Sequence, residues 1–392
     1  MIKRIGSVAI LFFPLSALAS TATSPLADST RDIFDNMDEN PAFVNTREQK
    51  SYLRIGKEGS LQAISNAGGY GLAVQLNTLK SPLVAPLEGS TKDIIAANTA
   101  LAASGVPLRL TAGTLFGEDK FGARISYQDS KISGPNAAFV FDSSFRKLGL
   151  GLGVITGPTQ VSVNFNRNAW KLATTSTQRS LTGETTSTLD DGMSDQTTDQ
   201  LNLSVIHKID RNRWFVAIAQ NKTKAGFWDK KSATTSTQAN LNNLISVHAG
   251  AQRDDKLSDA ATLFSRAWVG WSKTTENVSK QKKESTDLNL GWSNGLEYSP
   301  SSWSVLRAGY QGMIYDSRKA TTTNYSDANQ TGSSASSTTS DTNIVRSLGA
   351  PLLGAGLKFG NTSIDATVAQ NNTSDLGFSD NVFGKVELTV EF

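Results

Sequence analysis

The chain has 392 residues, of which 38% are hydrophobic, 8% aromatic and 19% charged, with 32 glycines and a mean hydropathy of −0.27. The absence of cysteine excludes a disulfide framework, thiolate metal ligation and thiol catalysis. The formal net charge of +3 includes Lys3 and Arg4 of a leader-like start; without them the 38 basic and 35 acidic residues nearly balance, so the composition does not point to nucleic acid as a partner.

Met1-Ile-Lys-Arg4, an apolar run from Val8 to Leu18 and the small residues Ala17-Leu18-Ala19 have the order of a secretory signal peptide over residues 1–19. The apolar run is shorter than the roughly 20 residues that a spanning helix needs. Residues 20–50 are polar, punctuated by Pro25 and Pro41, and read as a loosely structured N-terminal periplasmic or luminal segment with a helical turn near Ile33, Phe34 and Met37. Residues 51–66 alternate weakly and their place is open. From Tyr70 the alternation is regular: Tyr70, Leu72, Val74 and Leu76 share one face, Gly71, Ala73 and Gln75 the other. The Ala-rich stretch 91–103 reads as a short helical insert.

Strands then come in pairs. Leu108 and Leu110 precede Phe121, Ala123, Ile125 and Tyr127; Leu148, Leu150, Leu152 and Val154 precede Val161, Val163 and Phe165; Leu201, Leu203 and Val205 precede Trp214, Val216 and Ile218. The same pattern covers 263–273, 286–298, 306–310, 348–359 and 364–368. Tight turns fall near 117, 157, 210, 300 and 360; long connections rich in Ser, Thr, Asn and Asp fall near 129–144, 167–199, 315–347 and 371–382. Strand parity requires a further strand between Ala239 and Ala249. The count from Tyr70 onward is then about 14, and about 16 if residues 51–66 form a hairpin of the wall, within a range of roughly 12–16. The fold class expected is all-β, a transmembrane antiparallel barrel over residues 51–392 with a short N-terminal plug-like segment. The seven tryptophans fall mostly near predicted strand ends, as in an aromatic girdle.

The last ten residues alternate to the final position: Val386, Leu388, Val390 and Phe392 on one face, Lys385, Glu387, Thr389 and Glu391 on the other. This resembles the C-terminal strand of Gram-negative outer-membrane β-barrels, and the resemblance implies that Leu388, Val390 and Phe392 form a signal read by the barrel assembly machinery. The triplet Asn40-Pro41-Ala42 resembles a motif in the N-terminal hatch of FadL-like transporters of hydrophobic compounds, which are 14-stranded barrels. The Gly-rich segment that usually precedes the triplet is absent. The resemblance implies that Asn40, Pro41 and Ala42 sit in the lumen and gate it.

Catalytic signals are thin. His207 and His248 have no neighbour at metal-ligand or catalytic spacing, and no catalytic residue, metal site or cofactor is expected. The acidic stretch from Asp190 to Asp199 lacks the closing Glu of a calcium loop and reads as a solvated loop. With the apolar faces against lipid, Arg109, Arg124, Arg266, Arg307, Lys358, Asp365, Lys385 and Glu387 point into the lumen. There they form ion pairs that stiffen it, or, as bases outnumber acids, favour anions. Glycines 149, 151 and 153 face inward too, for curvature or close packing. The expected function is a non-enzymatic channel or transporter for small solutes in the outer membrane of a Gram-negative bacterium, in contact with lipid and lipopolysaccharide. The alternative is a structural, interaction or assembly-associated barrel that works through its long loops without conducting.

Overall fold

The computed structural model describes residues 33–45, 50–56, 60–76, 107–135, 139–179, 185–229, 234–235, 239–278, 281–325, 334–344, 347–369 and 385–392. The expected signal peptide at residues 1–19, residues 20–32, the insert at 91–103 and the connection at 371–382 lie outside the described residues. The chain enters through a short helix, α1 (Ile33–Glu39), and a 3-10 turn, Pro41–Val44. Four short strands follow: β1 (Tyr52–Gly56), β2 (Leu61–Ala67), β3 (Tyr70–Leu76) and β4 (Leu108–Phe116). Next come β5 (Asp119–Pro135), β6 (Phe139–Thr156), β7 (Thr159–Arg179), β8 (Thr185–Ile209), β9 (Asn212–Asp229) and β10 (Thr234–Thr235). The last eight are β11 (Ala239–Ser258), β12 (Ala261–Val278), β13 (Gln281–Ser301), β14 (Ser304–Tyr325), β15 (Ser334–Ile344), β16 (Ser347–Phe359), β17 (Thr362–Ala369) and β18 (Lys385–Glu391).

Each wall strand pairs antiparallel with its sequence neighbours, and β18 pairs back onto β1 from Tyr52↔Glu391 to Gly56↔Glu387. The sheet is therefore a closed barrel. β10 is a two-residue piece paired with the upper part of β9, while β15 and β16 occupy one wall position as upper and lower partners of β14. The wall has 16 strands. The count of about 14 holds from Tyr70 onward; the weakly alternating stretch 51–66 supplies the β1–β2 hairpin. The strand required by parity is β11.

The faces are inverted relative to a soluble protein. Outward Leu72, Ile125, Leu152 and Leu353 are 55–63% exposed, whereas inward Gln75, Ser246 and Ser293 are fully buried. In hydrocarbon every backbone polar group needs an internal partner, and a closed ladder provides one at each wall residue. Two-residue turns join the wall at one end, among them Gly157 (φ 52) and Asp210 (φ 54). Positive φ there matches the right-handed twist of the strands. That end is the periplasmic one by the usual asymmetry of bacterial barrels.

Two expectations need correction. The polar stretches near 129–144, 167–199 and 315–347 are largely strand: β7 and β8 run 21 and 25 residues and stay paired above the apolar band, with register shifts at Thr174/Ser176 and Thr177/Arg179. A membrane crossing takes only about 9–11 residues. The acidic stretch from Asp190 thus belongs to β8. Nor do the tryptophans form one girdle. Trp214 and Trp303 are exposed near tight turns and Trp271 faces outward, but Trp268 is inside the barrel and 5% exposed.

These faces predict a difference between neighbours. Leu290→Arg should destabilise the barrel by about 2–4 kcal/mol, as expected for a charge at mid-depth on the lipid face. Asn289→Arg, facing the lumen, should cost clearly less. Urea unfolding in lipid vesicles measures both, and equal losses would mean the faces are exchanged.

Candidate functional site: a plug docked on the inner wall

The most buried apolar cluster of the described residues belongs to no strand pair alone. Phe34, Met37 and Val44 of the N-terminal segment pack on Ile64 of β2 and Ala73 of β3, flanked by Phe43 and Tyr52. Pro41 and Ala42 are buried with them. α1 and the 3-10 turn therefore lie inside the barrel toward its tight-turn end and lean on the wall from β1 to β7.

The turn is built by its own sequence. Asn40 is extended, and its Oδ1 accepts from Ala42 N–H at 3.0 Å while Pro41 starts the turn. An Asn cap followed by Pro suits a helical N-terminus, since Pro lacks the N–H that would otherwise go unpaired. This leaves the Asn40 amide free to donate outward. It reaches the carbonyls of Val154 and Val161, both at 3.3 Å. At the other end of the turn Asn45 donates to Thr114 O at 3.2 Å and Phe121 O at 2.9 Å. Val154↔Val161 and Thr114↔Phe121 are each the third pair above a tight turn, in the β6–β7 and β4–β5 hairpins. Two asparagines five positions apart thus grip equivalent points of two hairpins.

Charge completes the dock. Arg109 pairs with Asp38, which also accepts from Gln75 at 3.0 Å. Arg124 donates to the carbonyls of Met37 (3.1 Å) and Asp38 (2.8 Å) and to Asn164. Lys120 donates to Asn45 O at 3.0 Å, and Arg54 lies 4.8 Å over the Phe34 ring. The wall is thinned to admit this segment: a Cβ on Gly71 or Gly113 would strike Val44 or Asn45, one on Gly122 Pro41 and one on Gly153 Asn40, while one on Gly151 would strike Asn164 and crowd Pro41. Close packing, not curvature, explains Gly151 and Gly153.

Asn40, Pro41, Ala42, Arg109 and Arg124 are therefore one site. The other lumen candidates lie elsewhere. Arg307 bonds Glu297 (3.0 Å) and Asp365 (2.8 Å), an ion-pair triad on β13, β14 and β17 in which two carboxylates share one guanidinium. Arg266 stacks 4.2 Å over Phe215 on the far wall, beside Trp268. Lys358 is exposed near the β16–β17 turn, and its N–H donates to Trp303 O at 2.8 Å. In β18, Lys385 and Glu387 are registered with Thr367 and Asp365, and Leu388 and Val390 with Ile364 and Thr362. Phe392, 71% exposed, exchanges backbone hydrogen bonds with Ser51 (2.8 and 3.3 Å) and so helps to close the seam. His207 bonds Thr159 at 2.8 Å, and His248 lies in the lumen against Gly270. No group of three metal-ligating side chains occurs among the described residues. The sequence reading passed over Asp38, Asn45, Gln75, Lys120 and Asn164; the one available signal was the repeat of Asn across the Pro-Ala-Phe-Val turn.

No protein-family model matches the chain, and no curated protein matches it. Among solved structures the chain is similar to CdiB from Escherichia coli, at 11% identity over 88% of this chain and 62% of that one, with a TM-score of 0.42. It is similar to the copper transporter OprC at 12% identity over 82% and 60% (TM-score 0.42), and to the Pseudomonas putida toluene transporter TodX at 9% identity over 91% of each chain (TM-score 0.35). The chain spans about three fifths of the length of CdiB and OprC. All three are outer-membrane β-barrels. With its closed wall, apolar exterior and polar interior, this chain has the architecture of a membrane-spanning β-barrel of the outer-membrane type.

The dock can be broken without touching the wall ladder. Gly122→Val should expel the Pro41 turn and make residues 33–45 sensitive to protease, while the heat-modifiable band of the folded barrel persists. Asn40→Ala, losing the cap and both wall bonds, should weaken docking by about 1–3 kcal/mol. Unchanged protection of residues 33–45 in the Gly122 variant would contradict this docking mode.

Proposed function

We propose that the chain is an outer-membrane channel or transporter for small solutes, exported by the leader at residues 1–19 and gated at its periplasmic end by residues 33–45. The observation that carries this reading is the nature of the dock. Among the described residues the plug is held by side-chain hydrogen bonds, the Arg109–Asp38 ion pair and a small apolar cluster, all reversible, and not by strand pairing with the wall. An element needed only to fill the barrel has no reason to be so separable.

The charge beside the plug supports a preference for anions. Arg109 and Arg124 share this stretch of lumen with inward-facing Lys147, and the Asp38 carboxylate pairs with Arg109 and acts on Arg124 through its charge. Cationic side chains lining a pore attract anions and repel cations. Passage of hydrophobic compounds is the second transport reading and rests on the Asn40-Pro41-Ala42 triplet. The interaction-barrel alternative draws on β7, β8, β13 and β14, whose 21–25 residues exceed what a bilayer requires.

Planar-bilayer recording separates these readings. The full chain should conduct weakly or intermittently, and deletion of residues 20–45 should give steady open channels with an anion-selective reversal potential in a salt gradient. Lys147→Glu in the deleted form should move that potential toward cations. Silence in both forms would overturn the channel reading in favour of the interaction barrel.

The C-terminal strand is proposed to serve the assembly machinery. Because the Phe392 backbone also closes the seam, Phe392→Ala, which keeps the backbone and removes the ring, is the discriminating variant. It should lower the amount of barrel in the outer membrane several-fold while the purified chain refolds normally in detergent. Normal membrane levels would refute the signal.

A further inference from the structure

We propose that the outer wall of β7–β12 carries a binding site for the phosphorylated headgroup of a glycolipid in the outer leaflet. The outward residues of this face begin apolar near the tight turns and end charged, mostly basic. Phe165, Leu201, Ile218 and Trp271 give way, within two or four positions along their strands, to Arg167, Asp199, Lys222 and Lys273. Arg167, Asp199 and Lys222 stand in one row across β7, β8 and β9, and Lys273 joins it through the neighbouring row Gln220–Ile245–Lys273. Lys224 lies one outward step above Lys222.

The one carboxylate in the row is already engaged. Asp199 takes both of its oxygens to Arg167, at 2.6 and 2.9 Å. Lys222, Lys224 and Lys273 make no ion-pair contact with a described side chain, although the Asp199 charge also acts on Lys222 and Lys224, and Lys222 and Lys273 are exposed. Strands lie about 4.8 Å apart and outward neighbours on one strand about 7 Å apart, so Lys222 and Lys273 are rooted about 12 Å apart and Lys224 about 17 Å from Lys273, a patch of roughly 12–17 Å. That is the width of one headgroup carrying two phosphates, not of a single small ion. The edge of the apolar band fixes the source of the phosphate. An occupant must lay acyl chains on Phe165, Leu201 and Ile218 while it presents anionic oxygens at the lysines, which a membrane-anchored phospholipid or glycolipid does and a soluble polyanion does not. The long strands above the patch keep these lysines at the leaflet surface.

The test uses the full chain in detergent micelles, titrated with diphosphoryl lipid A, with monophosphoryl lipid A and with inorganic phosphate. The proposal predicts binding in the order diphosphoryl above monophosphoryl, with no competition by inorganic phosphate at the same concentration. Lys222→Gln/Lys224→Gln/Lys273→Gln should weaken binding of the diphosphoryl form on the order of 100-fold. Lys256→Gln, at an exposed lysine near the opposite rim, should leave it unchanged. A heat-modifiability gel verifies that each variant is folded. Equal binding by the triple variant, equal loss in the Lys256 variant, or displacement by inorganic phosphate would each overturn the proposal.

Discussion

A backbone immersed in hydrocarbon must satisfy every N–H and C=O from within, and the rest of this structure depends on that constraint. An open sheet leaves two edges unpaired. Here the edges are β1 and β18, and their five-residue register removes both. Once the cylinder is closed, the period of a strand fixes everything else about the wall: one residue meets lipid, the next meets the lumen. A chain that is only 38% hydrophobic can therefore live in a membrane. The apolar half is concentrated where solvent would be in a soluble protein.

Closure also creates an interior that must be filled or left wet. At the tight-turn end it is filled by a segment that never joins the sheet. The wall accommodates that segment by giving up side chains at Gly71, Gly113, Gly122, Gly151 and Gly153, and the segment answers with the amides of Asn40 and Asn45. On the far wall the interior is handled differently. Arg266 lies over Phe215, and Trp268 covers Gly291, so rings and a guanidinium take the place of a plug. The lumen is asymmetric, with an inserted element on one side and a self-packed lining on the other.

What the sequence made legible follows from the same constraint. Lipid enforces strict alternation, so the faces of β3, β6, β12 and β18 were readable residue by residue, and parity alone called for β11. Above the bilayer both faces meet water and the alternation lapses. The Ser- and Thr-rich parts of β7 and β8 consequently looked like loops, although β-branched Thr favours extended pairing. The short strands β1 and β2 were obscure because their inward residues, Arg54, Gln62 and Ile64, are chosen to meet the plug and not to be uniformly polar. Asn40, Pro41 and Ala42 could be singled out by resemblance, but their partners could not. The carbonyls of Val154 and Val161 lie more than a hundred positions away, and backbone carbonyls carry no sequence signature.

The central claim is that the first and last strands meet in register to close the wall. The chain has no cysteine, so a designed pair reports on this seam alone. Leu53 and Val390 are register partners on the outer face, and partner Cα atoms about 4.5–5.5 Å apart can form a disulfide. Oxidation of the Leu53→Cys/Val390→Cys variant in membranes should circularise nearly the whole chain and shift its denatured mobility, whereas Leu53→Cys/Glu391→Cys, one position out of register and on opposite faces, should remain linear. Linear chains from the first variant, or equal cross-linking of both, would contradict a closed barrel in this register.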